Sequence, residues 1–456
     1  MSAASRAVLS WIAAPGRPLD GRLRVPGDKS ISHRALMLGA LAEGTTRITG
    51  FLEGEDTRAT AAVLQRLGVC IEAPAEGERI VHGVGLRGLR AADGPLDCGN
   101  AGTGMRLLAG LLAGQGFDSV LVGDASLSKR PMRRVIEPLS AMGARIDSEG
   151  GLPPLRIHAK NVLQGIDYKC EVASAQVKSA ILLAGLYAHG PSTVREAHPT
   201  RDYTERMLAA FGADIEFAPG LATLRPGRRL AATSVDVPAD FSSAAFFLVA
   251  ASVIPGSHLR LERVGVNPRR TGLLEALRLM GADIAVRPAG EQGGEPLADI
   301  EVRAARLRGA VIPEALVPDM IDEFPALFTA AALAEGVTTV SGAAELRVKE
   351  SDRIAVMTAG LRALGASIDE TADGALIHGS GFTANTDPSM ALADRAGALR
   401  GGRADSQGDH RIAMSLAIAA QCAAGEVRID DVANVATSFP GFEALARGVG
   451  FGLRLA

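Results

Sequence analysis

The chain has four cysteines in 456 residues, Cys70, Cys98, Cys170 and Cys422, and no two stand at C-x-x-C spacing. That pattern excludes a disulfide frame or a zinc knuckle and reads as buried thiols in a reducing compartment. The eight histidines are dispersed and no H-E-x-x-H occurs, so neither a metal nor another cofactor is expected. Aromatic residues make up 4% of the chain, with one Trp. Its cores must therefore be filled by Ala, Leu, Val and Ile. No apolar run reaches membrane-spanning length, and "MSAASRAVLSWIAAPG" has no clear apolar centre of a signal peptide. The expectation is a cytoplasmic protein with no membrane partner. The net charge is −3, so there is no general basic field, and nucleic acid is not an expected partner.

At 456 residues the chain exceeds the roughly 250–300 residues at which one core stops growing, so two domains are expected. A repeat runs through it. "LQRLGVCIE" at 64 is echoed by "LSAMGARID" at 139, "LAAFGADIE" at 208, "LRLMGADIA" at 277 and "LRALGASID" at 361, with a degraded copy, "ARGVGFGL", at 446. Each copy reads as a helix end, a glycine C-cap (Gly68, Gly143, Gly212, Gly281, Gly365, Gly450) and a strand start. A second element alternates with it: "SHRALMLGALAEG", "TGMRLLAGLLAGQG", "AQVKSAILLAGLYAHG", "SSAAFFLVAASVIPG", "DEFPALFTAAALAEG" and "DHRIAMSLAIAAQCAAG". These helices are apolar nearly all round, the mark of burial. Six α/β units fill the chain.

Polar and charged groups collect at the starts of these helices. The first case is "VPGDKSISHRA" at 25–35. It fails the P-loop pattern, since Asp28 precedes Lys29 and Leu23 stands where the first glycine belongs. A helix start remains, with Ser30 or Ser32 as N-cap and an end near Gly44. Taken alone, the stretch reads either as a solvated basic turn or as an anion site. The other helix starts carry similar groups: Asn100, Thr103 and Arg106; Ser174, Gln176 and Lys178; Asp240, Ser242 and Ser243; Asp322 and Glu323; Asp409, His410 and Arg411. "LSKRPMRR", "PTRDYTE", "NPRRTG" and "RVKESDR" lead outer helices. If these starts converge, positive dipole ends and arginine forks make a site for phosphates or carboxylates.

"VDVPADFSSAAFF" at 235 resembles "RVPGDKSISHRA" in order, and a domain crossing is placed at each. One domain then covers 27–238 and the other 1–26 plus 239–456, with the ligand site in the cleft between them. The polar, Gly-rich stretches 286–298 and 379–408 read as surface loops.

"GDKSISHR", "DCGNAGTGMRLL", "GDASLSKRPM", "ASAQVKSAILLAGL", "IDEFP", "ELRVKESDRI", "DHRIAMS" and "TSFPGF", eight motifs in order over nearly the whole chain, resemble the 5-enolpyruvylshikimate-3-phosphate synthase family. The resemblance implies an α/β fold of two domains, each of three βαβαββ units, an inside-out α/β barrel of the enolpyruvyl transferase type. It implies transfer of the enolpyruvyl group of phosphoenolpyruvate to the 5-hydroxyl of shikimate 3-phosphate, with release of phosphate, by a monomer without cofactor. Carried over by motif, Lys29, Ser30, Arg34, Ser174, Ala175, Gln176, Arg201, Asp322 and Lys349 contact shikimate 3-phosphate. Lys29, Gly102, Arg130, Gln176, Arg353 and Arg411 contact phosphoenolpyruvate. Asp322 is the implied base for the 5-hydroxyl and Glu350 the acid for the methylene carbon, with Lys29 a second proton carrier. The two carboxylates need opposite protonation states at the outset.

Plainer roles stand beside these. Asp322 and Asp409 could cap helices, Glu350 could pair with Arg353 or Arg347 on the surface, Gly102 could serve a turn, and His33 and His410 read as structural. The chain also departs from the family's patterns. Thr437 stands where some members have Lys. Of the motifs G-D-K-[ST], S-A-Q-x-K, R-[DN]-H-[ST]-E and N-x-T-R, which mark a glyphosate-insensitive branch, the first two are intact. Tyr203 replaces His in the third and Arg269 replaces Thr in the fourth. The alternatives are the sister transferase acting on UDP-N-acetylglucosamine, which needs a Cys near "GDASLSKRPM" that this chain lacks, and a noncatalytic polyanion-binding protein.

Overall fold

The computed structural model describes residues 9–456 apart from 160–161, 293, 385–386, 388–389 and 392–393. Residues 1–8, which open the expected 1–26 segment and the stretch read against a signal peptide, lie outside the described residues. So do parts of 286–298 and 379–408. The chain forms two compact units, one of residues 26–239 with 290–297, the other of 1–25, 240–289 and 298–456.

Within residues 26–239 three four-stranded sheets repeat one plan. Leu96–Asp97 pairs parallel with Ser119–Val122, which pairs antiparallel with Leu152–Ile157, which pairs antiparallel with Ile146–Glu149. Asp167–Cys170, Ser192–Glu196, Leu221–Arg225 and Asp214–Ala218 do the same. In the remaining sheet the parallel position beside Glu43–Thr49 is taken by Val235–Asp236, from the end of the segment. A parallel pair needs a crossover. In the second and third sheets the crossovers are the helices Gly102–Ala113 and Ala175–Gly185. The helix Lys29–Leu41 precedes the first sheet. All three are buried: in Lys29–Leu41 every residue from Ile31 onward is. Gly110 lets two of them meet backbone to backbone, since a Cβ there would stand 2.2 Å from the Ala180 carbonyl oxygen.

The other unit repeats the plan around Phe241–Val253, Phe324–Leu333 and His410–Gln421. In its last sheet the N-terminal strand Ser10–Ala14 inserts between Val427–Asp430 and Gly452–Leu455, which is where the degraded sixth copy lies. In the sheet of Glu335–Val340, Ala375–Ser380 and Ser367–Glu370 the fourth place is reduced to isolated bridges from Arg308 and Val311. The described strands form six sheets, none closed into a barrel. The few aromatics concentrate in this unit: Trp11, Phe246, Phe247, Phe439, Phe442 and Phe451 form one packed cluster.

All six repeat glycines have positive φ, between 84° for Gly212 and 128° for Gly450, as a left-handed C-cap requires. Three expectations need correction. The cap of the Lys29 helix is Asp28, whose carboxylate accepts from the Ile31 amide at 2.8 Å, not Ser30 or Ser32. That helix ends at Leu41, and Gly44 already lies in the strand Glu43–Thr49. Most of 286–298 is not loop: 286–292 lie in the strand Asp283–Gln292 and 295–298 in the strand Glu295–Arg303, with Gly294 at a turn. The first of these strands buries no residue, and past Val286 its sequence, "RPAGEQ", carries no apolar alternation to reveal it. In 379–408 the described part includes a strand end at Ser380, a 3-10 turn at Phe382–Ala384 and the strand Gly402–Asp405.

Candidate active site

In the unit of residues 26–239 the predicted residues gather at the starts of the buried helices. Lys29 opens its helix and its Nζ lies 3.0 Å from Asp56 Oδ2. Arg34 is buried on the same helix. It donates to the Ser30 carbonyl at 2.8 Å, to Ser179 Oγ at 2.8 Å and to Thr204 Oγ1 at 2.7 Å. Burial and the neighbouring Arg201 cation push the Arg34 pKa down to about 10. Arg34 is thus held by the protein's own groups, with Arg201 close to it. Ser174 caps the next helix, accepting from the Val177 amide, and Ala175 and Gln176 are its first residues. Gln176 accepts from Arg106 Nη1 at 2.8 Å and donates to Thr103 Oγ1 at 2.9 Å, which ties that helix to the one beginning at Gly102. Arg130 donates to Asn100 Oδ1 at 2.6 Å. A Cβ on Gly102 would stand 3.1 Å from Arg130 Nη1 and 3.3 Å from Arg106 Nη1. Only a hydrogen at position 102 leaves both guanidinium groups where they are. Two helices begin here with their amides toward the cations, so this face favours anions.

Beneath it the quoted motifs bind one another. The Tyr203 hydroxyl donates to Asp28 Oδ2 at 3.3 Å, so Tyr at this place still reaches the cap of the Lys29 helix. Lys178 of "SAQVK" lies 2.8 Å from Glu196 and 2.8 Å from Glu205 of "RDYTE", all three side chains buried. Burial opposes the Lys178 charge, but the two carboxylates raise its pKa; burial pushes Glu205 up against the pull of Lys178. This triad fixes both ends of the segment that carries Arg201. His33 is fully buried, its Nδ1 2.8 Å from Thr60 Oγ1. Burial, then Lys29 and Arg34, push its pKa down to about 3. It is neutral and structural.

In the other unit the predicted residues meet around Arg353, whose side chain is 1% exposed. Its Nη2 donates to Glu350 at 2.6 Å, its Nε to Asp409 at 2.8 Å, and its Nη1 lies 3.4 Å from Asp322 Oδ1. Burial opposes its charge, but Asp409, Glu350 and Asp322 outweigh burial and raise its pKa. One guanidinium therefore touches both the expected base and the expected acid. Asp322 does not cap a helix: the Phe324 helix is preceded by Glu323, which makes no side-chain cap bond. Asp409 does cap, accepting from the Arg411 amide at 2.9 Å. Arg411 Nη1 donates to the Asp322 carbonyl at 3.1 Å. Lys349 lies 3.6 Å from Glu345. Withdrawal from water lowers its pKa, against the raising pull of Asp322 and Glu345.

Reading the motifs missed Arg270. It is buried, its Nη1 lies 3.0 Å from Asp322 Oδ2, and its Nη2 donates to Ser242 Oγ. The signal was present in "NPRRTG", where Arg270 follows the divergent Arg269. Arg269 itself lies 3.5 Å from Asp319. Asn100, Thr103 and Arg106 were visible as polar helix starts, but nothing in the sequence showed that they support Arg130 and Gln176.

Buried helices in threes, with cations and ionisable groups at their starts, define an α/β enzyme for small, multiply charged anions. The comparisons sharpen this class. The family described as EPSP synthase (3-phosphoshikimate 1-carboxyvinyltransferase) matches residues 13–445. A 3-phosphoshikimate 1-carboxyvinyltransferase of Xanthomonas campestris is 66% identical over 450 residues, 98% of this chain and 99% of that protein. One of Xylella fastidiosa is 66% identical over 98% of this chain and 94% of its own. The solved EPSP synthase of Acinetobacter baumannii superposes with a TM-score of 0.86 at 50% identity, covering 98% of this chain and all of that one. The chain belongs to the EPSP synthase family.

Proposed function

We propose that the two residue sets divide a single reaction between them. The chain transfers the enolpyruvyl group of phosphoenolpyruvate to the 5-hydroxyl of shikimate 3-phosphate and releases phosphate. Asp322 takes the proton of the 5-hydroxyl as its oxygen bonds to C2 of phosphoenolpyruvate. Glu350, with Lys29 as a second carrier, gives a proton to C3, so that C2 becomes tetrahedral. Loss of a proton from the new methyl group then restores the double bond as the C2–O bond to phosphate breaks. Lys29, Ser30, Ser174, Ala175, Gln176, Arg201 and Lys349 bind shikimate 3-phosphate. Arg130, Arg353 and Arg411 hold phosphoenolpyruvate, with the small Gly102 leaving room beside Arg130. Arg34 acts from beneath, fixing the Ser30 carbonyl and the Ser174 helix.

The observation that carries the assignment is Arg353 in contact with both Asp322 and Glu350. A surface ion pair needs no second carboxylate, and a noncatalytic anion binder needs neither. We infer further that the protein acts in the cytoplasm, in keeping with its four unpaired cysteines, and as a monomer. No helix among the described residues is long and apolar enough to cross a membrane. Phosphate should appear only when both phosphorylated substrates are present. Release with phosphoenolpyruvate and a UDP-aminosugar, and none with shikimate 3-phosphate, would overturn the reading.

A further inference from the structure

The antiparallel strands Cys70–Glu72 and Arg79–Val84 place Cys70 opposite His82 and Glu72 opposite Ile80. Side chains alternate along a strand, so Cys70 and Glu72 share a face, and His82 as the partner of Cys70 shares it too. The sulfur, a ring nitrogen and a carboxylate oxygen all lie within 4.8 Å of one another. Glu72 Oε1 is 2.5 Å from His82 Nε2, and Thr45 Oγ1 is 3.4 Å from His82 Nδ1. The face is open to water: the His82 and Glu72 side chains are 43% and 55% exposed, and Cys70 is the exposed cysteine while Cys98, Cys170 and Cys422 are buried.

We propose that Cys70, Glu72 and His82 form a surface site for a divalent cation of the zinc class. Thiolate, imidazole and carboxylate are the donor set such an ion takes, and water can fill the fourth place of its tetrahedron. The thiolate and carboxylate together balance the charge of the ion. Metal–donor bonds of about 2.0–2.3 Å put donors about 3.5 Å apart. The Glu72–His82 pair therefore opens slightly to admit the ion, and the sulfur moves inward. Both are small motions for side chains on an exposed strand face. Binding displaces the thiol proton as the sulfur joins the ion. Composition pointed away from a metal because residues 70 and 82 become neighbours only through strand pairing, which no local spacing motif records.

The test is thiol modification of the whole folded protein by a chromogenic disulfide reagent, with zinc ion as the probe. One thiol, Cys70, should react rapidly, and micromolar Zn²⁺ should slow it by about tenfold or more. Co²⁺ in its place should give a thiolate-to-metal charge-transfer band. Cys70→Ser should abolish the rapid thiol and the band. His82→Ala should keep the rapid thiol but weaken its protection by about tenfold. A wild-type thiol that reacts at the same rate in excess Zn²⁺, one that does not react rapidly at all, or equal protection in His82→Ala would each overturn the proposal.

Discussion

In the unit of residues 26–239 Lys29 meets Asp56, while the hydrogen bonds described for three arginines run to hydroxyls and amides. Arg34 meets Ser179 and Thr204, Arg106 meets Gln176, and Arg130 meets Asn100 and Ser126. In the other unit arginines meet carboxylates: Arg353 with Asp322, Glu350 and Asp409, and Arg270 with Asp240, Asp322 and Glu323. The same repeat, a buried helix with polar groups at its start, thus carries two chemistries. A hydroxyl or amide partner orients a guanidinium without itself cancelling any charge. Carboxylate partners cancel that charge but supply groups that can take and give protons. On the proposed roles, the first unit would supply most contacts to shikimate 3-phosphate, and the second the carboxylates for proton transfer together with Arg353 and Arg411.

The sharpest way to break this division is Asp322→Asn. Loss of a general base should cut kcat by about 10²–10⁴, with KM for shikimate 3-phosphate changed far less, as initial rates would show. An unchanged turnover number removes Asp322 from that role. In the binding unit the largest effect expected is on stability. Lys178→Met leaves Glu196 and Glu205 buried without their cation, a loss of about 3–5 kcal/mol, visible as a lower Tm. A Tm within a degree of wild type would mean the triad does not hold the Arg201 segment.

His33 sharpens the comparison through pH. Its folded pKa is depressed to about 3 from 6.5, so between these values the unfolded chain binds the extra proton. The contribution is fully present above about pH 6.5 and is lost as pH falls toward 3. By pH 5 about 2 kcal/mol of it is lost. His33→Gln should therefore lessen the fall in Tm between pH 7 and pH 5, and equal falls would show that His33 titrates normally. The smallest effect is expected at Gly102. Its alanine methyl would press on Arg130 Nη1 at 3.1 Å. Competition of glyphosate with phosphoenolpyruvate should weaken by about 1–3 kcal/mol, read from initial rates at several inhibitor concentrations. Unchanged competition would place the determinant elsewhere in the "TGMRLL" helix.

Much of this frame was legible in the sequence because it is local and repeated. Gly68, Gly143, Gly212, Gly281, Gly365 and Gly450 announce helix ends by a backbone requirement that other residues meet poorly, and the uniformly apolar helices announce their burial. The strand from 283 was announced only at its start, and its run on to 292 left no such trace. Asp28 was missed as a cap because Ser30 and Ser32 are equally good cap residues, and only the backbone shows which one precedes the first turn. Site residues were legible where a motif is contiguous, as in "VKESDR". Arg270 on Asp322, Lys178 between Glu196 and Glu205, and Arg34 on Thr204 are partnerships across tens of residues, and pairing of that kind is set by packing.

The division of labour is tested most directly by one paired measurement, calorimetric titration of shikimate 3-phosphate alongside single-turnover phosphate release, on Glu350→Gln and Gln176→Ala. Glu350→Gln should bind within a few-fold of wild type and release phosphate about 10²-fold or more slowly. Gln176→Ala should lose about tenfold in affinity and keep most of its rate once saturated. If Glu350→Gln loses affinity at an unchanged rate while Gln176→Ala binds normally and turns over slowly, the assignment of binding and proton transfer to the two units is contradicted.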